Sequence, residues 1–199
     1  MRARLLLAAA AVLLGLTACT ADVHAPGADA TAAPGPRCVE RPSAAAAPGG
    51  TESGPALPAM ALPCFSGGRY TDIADLGGMP TVVNLWASWC EPCRKELPEL
   101  QRFSVAGQGR VRVVGIATKD RHDQAQSVIE DDKLTFTILE DQGQQFATAV
   151  SPVVSKALFN LPATLFITPQ GRIAYVYQGE ALTEARLREL TNQHLGVSV

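Results

Sequence analysis

Residues 84–100 read NLWASWCEPCRKELPEL and place Cys90 and Cys93 three residues apart, where the sequence pattern changes. The residues just before them, 81–86, form a largely apolar run with β-branched side chains, which predicts a strand buried on both faces. After the first cysteine, apolar side chains recur at helical spacing, at Cys93, Leu97, Leu100 and Phe103. The stretch therefore predicts a buried strand, a tight connection and a helix whose first turn carries both sulfurs.

The C-x-x-C spacing at a helix start is typical of a redox site. The unpaired N–H groups and the dipole at a helix N-terminus favour a thiolate at Cys90, and the thiolate is the attacking species in disulfide exchange. Cys93 lies one turn further in and is predicted to resolve the mixed disulfide. Trp89 is expected to shield one side of the pair. The charge of Glu91 is expected to disfavour the Cys90 thiolate and so moderate its pKa. The pair is predicted to alternate between dithiol and disulfide without a further cofactor.

A lone C-x-x-C also occurs in zinc sites, but structural zinc needs four ligands. The three histidines, His24, His122 and His194, are not spaced to complete a site with the cysteine pair. No metal site is therefore predicted, and the histidines are expected at the surface.

Beyond this stretch, alternating patterns predict one α/β domain. Apolar runs predict strands at residues 110–118, 136–139, 164–167 and 173–177. The last two flank a Pro-then-Gly turn at 168–171, which predicts a hairpin. Helices are expected around 125–129 and 146–150, with a final one capped by Thr183 and ended by Gly196. The order βαβ, then α, then ββα predicts a central mixed sheet flanked by helices.

The N-terminal sequence indicates a targeting signal followed by a spacer. Residues 1–18 begin with basic side chains and continue with an apolar run too short to cross a membrane, as in a signal peptide. Their end, Leu-Thr-Ala-Cys, resembles a bacterial lipobox and predicts lipidation of Cys19; ordinary secretory cleavage is the alternative. Residues 19–60 are rich in Ala, Pro and Gly and predict a lipid-anchored flexible tether, which leaves 61–199 as the domain.

The net charge of −2 gives no basic surface for nucleic acid.

Cys38 and Cys64 are the remaining two of the five cysteines. In an oxidising compartment they are expected to form a structural disulfide that links the tether covalently to the domain. The alternative is a second redox pair that exchanges with Cys90.

Residues 84–100 resemble the TlpA/ResA/CcmG branch of the thioredoxin-like family, and the resemblance extends over about 62–196. It implies a thioredoxin-like fold with a cis-proline opposite the cysteine pair, at Pro162. The backbone beside that proline can then pair with an extended substrate segment. Trp89, Pro92, Leu161 and Pro162 are accordingly expected to bind substrate. The alternative for Pro162 is an ordinary strand-entry proline.

The resemblance also assigns Glu96 to an acidic position near the cysteine pair. A buried Glu96 could exchange a proton with Cys93, whereas an exposed one would be an ordinary helix residue. Thioredoxins proper have Asp where this chain has Asn84, which is expected to be a hydrogen-bonded core residue. Two departures concern substrate identity: Ala163 replaces the usual Thr after the cis-proline, and residues 151–160 form a longer link than usual.

The resemblance implies a thiol–disulfide oxidoreductase, lipid-anchored at the outer face of the cytoplasmic membrane and expected to be monomeric. It would act as a reductase on protein substrates, including apocytochrome c during cytochrome c maturation, and draw electrons from a membrane reductant of the CcdA/DsbD type. An extracytoplasmic disulfide oxidase is the alternative, because the sequence does not fix the redox potential. A peroxiredoxin is disfavoured because Ala87 replaces the threonine of that class, and a Sco-type copper chaperone because its wider cysteine spacing and histidine are missing.

Overall fold

The structure is a computed structural model that describes residues 38–39 and 54–199. Within these residues the chain forms the strands β1 (Ala61–Pro63), β2 (Tyr70–Asp72), β3 (Thr81–Trp86), β4 (Arg112–Thr118), β5 (Thr137–Asp141), β6 (Ala163–Ile167) and β7 (Ile173–Gln178). The helices of the same residues are α1 (Glu91–Ala106), α2 (His122–Asp131), α3 (Gln145–Val154) and α4 (Glu184–Leu195), with a short 3-10 helix at Ile73–Leu76. None of these helices is both long enough and apolar enough to span a lipid bilayer.

The central sheet has the strand order β5-β4-β3-β6-β7. Strands β3, β4 and β5 run parallel, whereas β6 runs antiparallel to β3 and β7 antiparallel to β6. Every residue of the middle strand β3 is buried, as its largely apolar sequence requires for a strand covered on both faces. The predicted α/β fold with a central mixed sheet is confirmed. The end of the sheet at which β3, β4 and β5 finish and β6 begins is called the site edge below.

Two apolar layers cover the sheet, one on each face. Along β3, Val82 and Trp86 belong to one buried cluster and Val83 and Leu85 to the other, as the period of two in a strand dictates. The first cluster includes the buried faces of α1, α2 and α4. The second includes α3, the 3-10 helix and the small β1–β2 hairpin. The cysteine pair of α1 therefore lies in the first layer.

The last helix begins and ends at the predicted residues. The hydroxyl of Thr183 accepts the N–H of Arg186 at 3.3 Å and so caps the start of α4. Gly196 follows its last turn with φ of 69°, a left-handed conformation that glycine adopts without steric cost.

Residues 54–60, which the sequence assigned to the tether, are hydrogen-bonded to the domain. The N–H of Leu57 donates to the carbonyl of Gly171 at 3.1 Å, and the N–H of Ile173 donates to the carbonyl of Pro55 at 2.9 Å. These backbone hydrogen bonds and the partly buried side chains of Leu57 and Met60, which pack against the layer that contains α3, hold the segment. The signal peptide, Cys19 and residues 20–37 and 40–53 of the tether lie outside the described residues.

A disulfide joins Cys38 to Cys64, whose Cα atoms are 5.5 Å apart. Both residues are buried in the layer that contains α3. Next to them, the N–H of Phe65 donates to the carbonyl of Ile138 at 3.0 Å, and Cys64 forms an isolated bridge with Leu139. The disulfide thus joins Cys38 and its neighbour Val39 to a segment that runs along the edge strand β5.

The link at residues 151–160 is shorter than the sequence indicated, because α3 continues to Val154. The remaining loop, 155–160, is held in place by its own contacts. Leu158 is fully buried, and its N–H donates to the hydroxyl of Ser151 at 3.0 Å. The loop leads directly into β6 at the site edge.

Candidate active site

Cys90 lies at the site edge, between the end of β3 and the start of α1. A tight turn brings it there, because the N–H of Cys90 donates to the carbonyl of Ala87 at 3.1 Å. Its sulfur serves as the N-cap of α1 and accepts the N–H of Cys93 at 3.2 Å. Cys90 and Cys93 form a disulfide with their Cα atoms 5.3 Å apart. The predicted strand, connection and helix therefore place both sulfurs in the first turn of α1.

The two cysteines differ in their access to solvent. Cys90 is 6% exposed, whereas Cys93 is fully buried beneath it. The N-terminus of a helix favours negative charge, and one of its N–H groups is aimed at the Cys90 sulfur. This arrangement suits Cys90 to attack an external disulfide and Cys93 to attack the Cys90 sulfur from within.

The peptide bond between Leu161 and Pro162 is cis, as predicted. Ala163 at the start of β6 pairs with Leu85 of β3. Pro162 comes one residue before Ala163 in the chain and therefore lies beside the end of β3. Pro162 is buried and Leu161 is half-buried. The backbone of Leu161 therefore lies at the same edge of the sheet as the disulfide, where an extended peptide can pair with it.

Trp89 and Pro92 are exposed on either side of Cys90 in the sequence. The Trp89 side chain is 58% exposed, and its indole N–H donates to the carbonyl of Lys119 at 3.0 Å. A large apolar ring that is fixed by a hydrogen bond and still open to solvent is suited to contact a partner. The structure thus brings Trp89, Pro92, Leu161 and Pro162 to one edge.

Phe159 adds an aromatic ring that sequence analysis did not single out. It is 46% exposed and lies three residues before Pro162. The side-chain amide of Gln178, at the end of β7, holds its loop through the carbonyls of Ala157 at 2.8 Å and Asn160 at 3.1 Å. The only signal in the sequence was an aromatic residue within the long link, which gives no indication of its orientation.

Glu96 is fully buried, so its interpretation as an exposed helix residue is wrong. Its carboxyl accepts a hydrogen bond from the Asn84 amide at 3.1 Å and another from the backbone N–H of Leu182 at 3.3 Å. The hydroxyl of Thr164 lies 3.4 Å from the same carboxyl and 3.0 Å from the Asn84 amide. Asn84 is a hydrogen-bonded core residue, as predicted.

Burial raises the pKa of Glu96 from its ordinary 4.5 to about 7, although the bonds from Asn84, Leu182 and Thr164 each act to lower it. A carboxyl with a pKa near neutrality can both accept and return a proton at physiological pH. Glu96 follows Cys93 by three residues, one helical turn further along the same face of α1. The structure therefore places a carboxyl that titrates near neutral pH one helical turn from the buried Cys93.

Glu91 differs from Glu96 in its surroundings. It is exposed, and a hydrogen bond from Lys95, 2.8 Å away, lowers its pKa. Because Lys95 offsets the charge of Glu91 and solvent screens it, Glu91 is expected to have only a small effect on Cys90.

The histidines behave differently from one another. His122 is exposed and stacks on Phe65 with ring centroids 4.4 Å apart, in agreement with a surface position. His194 is only half-exposed and stacks on Tyr175 at 4.0 Å, so its prediction as a surface residue is only partly correct. His24 lies outside the described residues.

Asp120 is a second residue at the site edge that sequence analysis did not single out. It is 9% exposed, and its carboxylate accepts hydrogen bonds from the backbone N–H and the hydroxyl of Ser88, the latter at 2.7 Å. Ser88 lies two residues before Cys90. The contact joins residues 32 positions apart in the chain, so no local pattern could reveal it.

Comparison with known proteins places this geometry in a family. The model of the AhpC/TSA family matches residues 54–176, more than half of the chain. The thiol–disulfide oxidoreductase ResA of Bacillus subtilis is 29% identical over 129 residues, which cover 63% of this chain and 66% of ResA. The match thus spans just under two thirds of that relative.

Two further proteins are similar over more of their own length. Sporulation thiol–disulfide oxidoreductase A of Bacillus subtilis is 31% identical over 147 residues, covering 71% of this chain and 84% of that protein. The crystal structure of a secreted Mycobacterium tuberculosis disulfide oxidoreductase homologous to E. coli DsbE superposes with a TM-score of 0.57 at 27% identity, covering 65% of this chain and 91% of that one. The chain therefore belongs to the AhpC/TSA family and has the thioredoxin-like fold of the ResA- and DsbE-type thiol–disulfide oxidoreductases.

Proposed function

We propose that this protein is a thiol–disulfide oxidoreductase that exchanges the Cys90–Cys93 disulfide with cysteines of protein substrates. The observation that carries the proposal is the position of that disulfide, at the N-terminus of α1 and beside the cis Leu161–Pro162 bond. The names of the relatives point the same way.

In the reducing direction the reaction begins from the dithiol. The Cys90 thiolate attacks one sulfur of a substrate disulfide, so a Cys90–substrate bond forms and the second substrate sulfur leaves as a thiolate. Cys93 then loses its proton to Glu96 and attacks the Cys90 sulfur. The Cys90–Cys93 disulfide forms, the first substrate sulfur is released, and the two electrons end on the substrate dithiol. No cofactor beyond the cysteine pair is required.

The substrate segment lies in an extended conformation against the backbone of Leu161. Main-chain hydrogen bonds supply affinity in this mode and are insensitive to sequence. Trp89 and Pro92 contribute exposed apolar surface beside the reacting sulfur. The expected substrates are therefore cysteine-containing segments that are unfolded or protruding, such as the haem-attachment region of an apocytochrome c.

The proposed setting is the outer face of the cytoplasmic membrane, with lipidation at Cys19, a monomeric domain and electrons supplied by a membrane protein of the CcdA/DsbD type. The Cys38–Cys64 disulfide supports an extracytoplasmic setting, because stable structural disulfides belong to oxidising compartments. Within this setting, reduction of substrates, as in cytochrome c maturation, is the proposed direction.

Substitution of each cysteine separates the two steps of the mechanism. Cys90→Ser is expected to abolish reduction of insulin disulfides because the attacking thiolate is lost. Cys93→Ser is expected to accumulate mixed disulfides with substrate because the resolving thiol is lost, which non-reducing gel electrophoresis detects. Wild-type turnover in both variants would contradict the mechanism.

The direction of electron flow is tested by equilibrating the pair with glutathione buffers. A potential near the −270 mV of thioredoxin supports a reductase, and one near −120 mV supports an oxidase. Partners trapped in cells by Cys93→Ser would then identify the substrate: apocytochrome c supports the proposed pathway, and its absence among the trapped proteins contradicts it.

A further inference from the structure

The turn at residues 87–90 determines where the reactive sulfur lies. Its ends are joined by the hydrogen bond from the Cys90 N–H to the Ala87 carbonyl, so Ser88 and Trp89 are its two central residues. Turns of this kind sit on the surface and are among the more mobile parts of a fold. The position of the Cys90 sulfur relative to α1 therefore depends on what holds these two residues.

Both central residues are held by two consecutive residues of the connection between β4 and α2. The indole N–H of Trp89 donates to the carbonyl of Lys119 at 3.0 Å. The backbone N–H of Ser88 donates to one carboxylate oxygen of Asp120, and the Ser88 hydroxyl donates to the other at 2.7 Å. Lys119 itself has φ of 49°, a left-handed conformation that costs a non-glycine residue free energy and persists only where the surroundings impose it.

The charge of Asp120 lacks a cationic partner. The donors to its carboxylate are the N–H and hydroxyl of Ser88 and the backbone N–H of Arg121 at 2.8 Å, all of them neutral. The guanidinium of Arg121 pairs instead with Asp123, at 2.8 Å. Within residues 38–39 and 54–199, no cationic side chain forms an ion pair with Asp120. An unpaired, nine-tenths-buried negative charge therefore lies beside the turn.

This charge opposes the helix at Cys90. The Asp120 carboxylate is hydrogen-bonded to Ser88, which belongs to the same four-residue turn as Cys90 and lies two residues before it. A negative charge held at this turn disfavours the thiolate, whereas the N-terminus of α1 favours it. Since the thiolate belongs to the reduced form, a charge that raises its free energy makes the pair a stronger reductant.

We propose that Asp120 is a positioning residue that fixes the turn before Cys90 and, through its charge, biases the Cys90–Cys93 couple towards reduction of substrates. The inference rests on the proposed function and supplies a physical reason for its direction. Lys95 pairs with Glu91, and Arg121 pairs with Asp123, so neither cation offsets the charge of Asp120. The buried Glu96 likewise accepts its hydrogen bonds from neutral groups.

Asp120→Asn separates charge from position. The amide oxygen still accepts the Ser88 N–H and the amide N–H₂ donates to the Ser88 hydroxyl, so both contacts with the turn are kept. The charge is removed, together with the hydrogen bond from the Arg121 N–H to the oxygen that faces the Ser88 hydroxyl. The equilibrium constant for reduction of the Cys90–Cys93 disulfide by glutathione is expected to rise about tenfold, equivalent to a potential about 30 mV more oxidising. The pH profile of Cys90 alkylation is expected to move to lower pH for the same reason.

Ser88→Ala keeps the charge and removes one of the hydrogen bonds that fix the turn. It is expected to leave the glutathione equilibrium unchanged and to slow insulin reduction severalfold. Asp123→Asn is the matched control, an exposed carboxylate in the first turn of α2 whose removal is expected to leave the equilibrium as in the wild type.

An unchanged equilibrium constant in Asp120→Asn, or an equal shift in Asp123→Asn, overturns the electrostatic part of the proposal. A wild-type rate in Ser88→Ala overturns the positioning part, and this variant remains informative if Asp120→Asn does not fold. Failure of the wild-type pair to equilibrate with glutathione at all would instead refute the proposed function.

Discussion

Two glutamates of α1 show how surroundings decide the chemistry of a residue. Glu91 and Glu96 lie in the first two turns of the same helix, and their pKa values move in opposite directions. A hydrogen bond from Lys95 lowers the pKa of the exposed Glu91, whereas burial raises that of Glu96. Only the Glu96 carboxyl titrates near neutral pH, one helical turn from the buried Cys93.

The raised pKa of Glu96 predicts a pH-dependent stability. Between its unfolded value of 4.5 and its folded value of about 7, the folded state binds the extra proton. Its contribution is therefore fully present below pH 4.5 and is lost as the pH rises to 7, for a total of about 3 kcal/mol. Urea denaturation of the oxidised protein across this range measures it.

Glu96→Gln removes this titration, so the free energy of unfolding of the wild type is expected to fall relative to that of the variant as the pH rises. Glu130→Gln, at an exposed position near the end of α2, is the control and is expected to follow the wild type. Parallel curves for the wild type and Glu96→Gln would show that folding does not raise the pKa of Glu96.

At the level of elements, the loop at residues 155–160 is the least expected part of the site edge. Gln178 and the buried Leu158 hold it, while Phe159 remains open to solvent. An exposed aromatic ring on a fixed loop beside the substrate-pairing segment is suited to contact residues that flank the substrate cysteine.

Phe159→Ala is expected to lower kcat/KM for insulin reduction about tenfold, through KM, because the ring contributes binding and not chemistry. Steady-state kinetics with insulin measure the effect. Val105→Ala is the matched control, an exposed apolar side chain in the last turn of α1, and is expected to leave kcat/KM unchanged. Equal kinetics for Phe159→Ala and wild type would remove the loop from the substrate surface.

Elements with long, regular patterns could be predicted from the sequence, and short ones could not. Strand β3 and helix α1 each carry an uninterrupted pattern, and both were predicted. The β1–β2 hairpin was not predicted, because each of its three-residue strands buries a single residue. Helix α3 was predicted around residues 146–150, and in the structure it continues to Val154 although Pro152 lies within it.

At the site, residues that belong to local motifs could likewise be predicted, and residues held by long-range contacts could not. Cys90, Cys93 and Pro162 follow from local motifs and their resemblance to a family. Asp120 and the loop that carries Phe159 are held by contacts between residues distant in the chain, which only the folded structure reveals.

Across the whole molecule, the sheet separates the two cysteine pairs. Cys90 and Cys93 lie in the layer with α1, α2 and α4, whereas Cys38 and Cys64 lie in the layer with α3. Exchange between the pairs would require one thiolate to pass the central sheet. The structural alternative for Cys38–Cys64 is therefore favoured over a relay.

The double variant Cys38→Ser/Cys64→Ser is expected to keep the wild-type rate of insulin reduction. Its stability is expected to fall by about 3 kcal/mol, because the unfolded chain regains the entropy that the loop closure removed. For a domain of this size, that corresponds to a Tm about 10 °C lower by calorimetry.

A loss of turnover without a change in Tm would instead show that the pair relays electrons. The single variant Cys38→Ser provides a further check, because it leaves Cys64 as a free thiol. If the sheet isolates the pairs, Cys64 will not form a mixed disulfide with Cys90.

The sulfur that caps α1 is also the atom that changes its covalent partner during the reaction. As a thiolate it is a charged acceptor for the Cys93 N–H, and as one half of a disulfide it is a weak neutral one. The first turn of α1 is therefore expected to be tighter in the reduced protein than in the mixed disulfide. The exchange rate of the Cys93 amide hydrogen is then expected to report the oxidation state of Cys90.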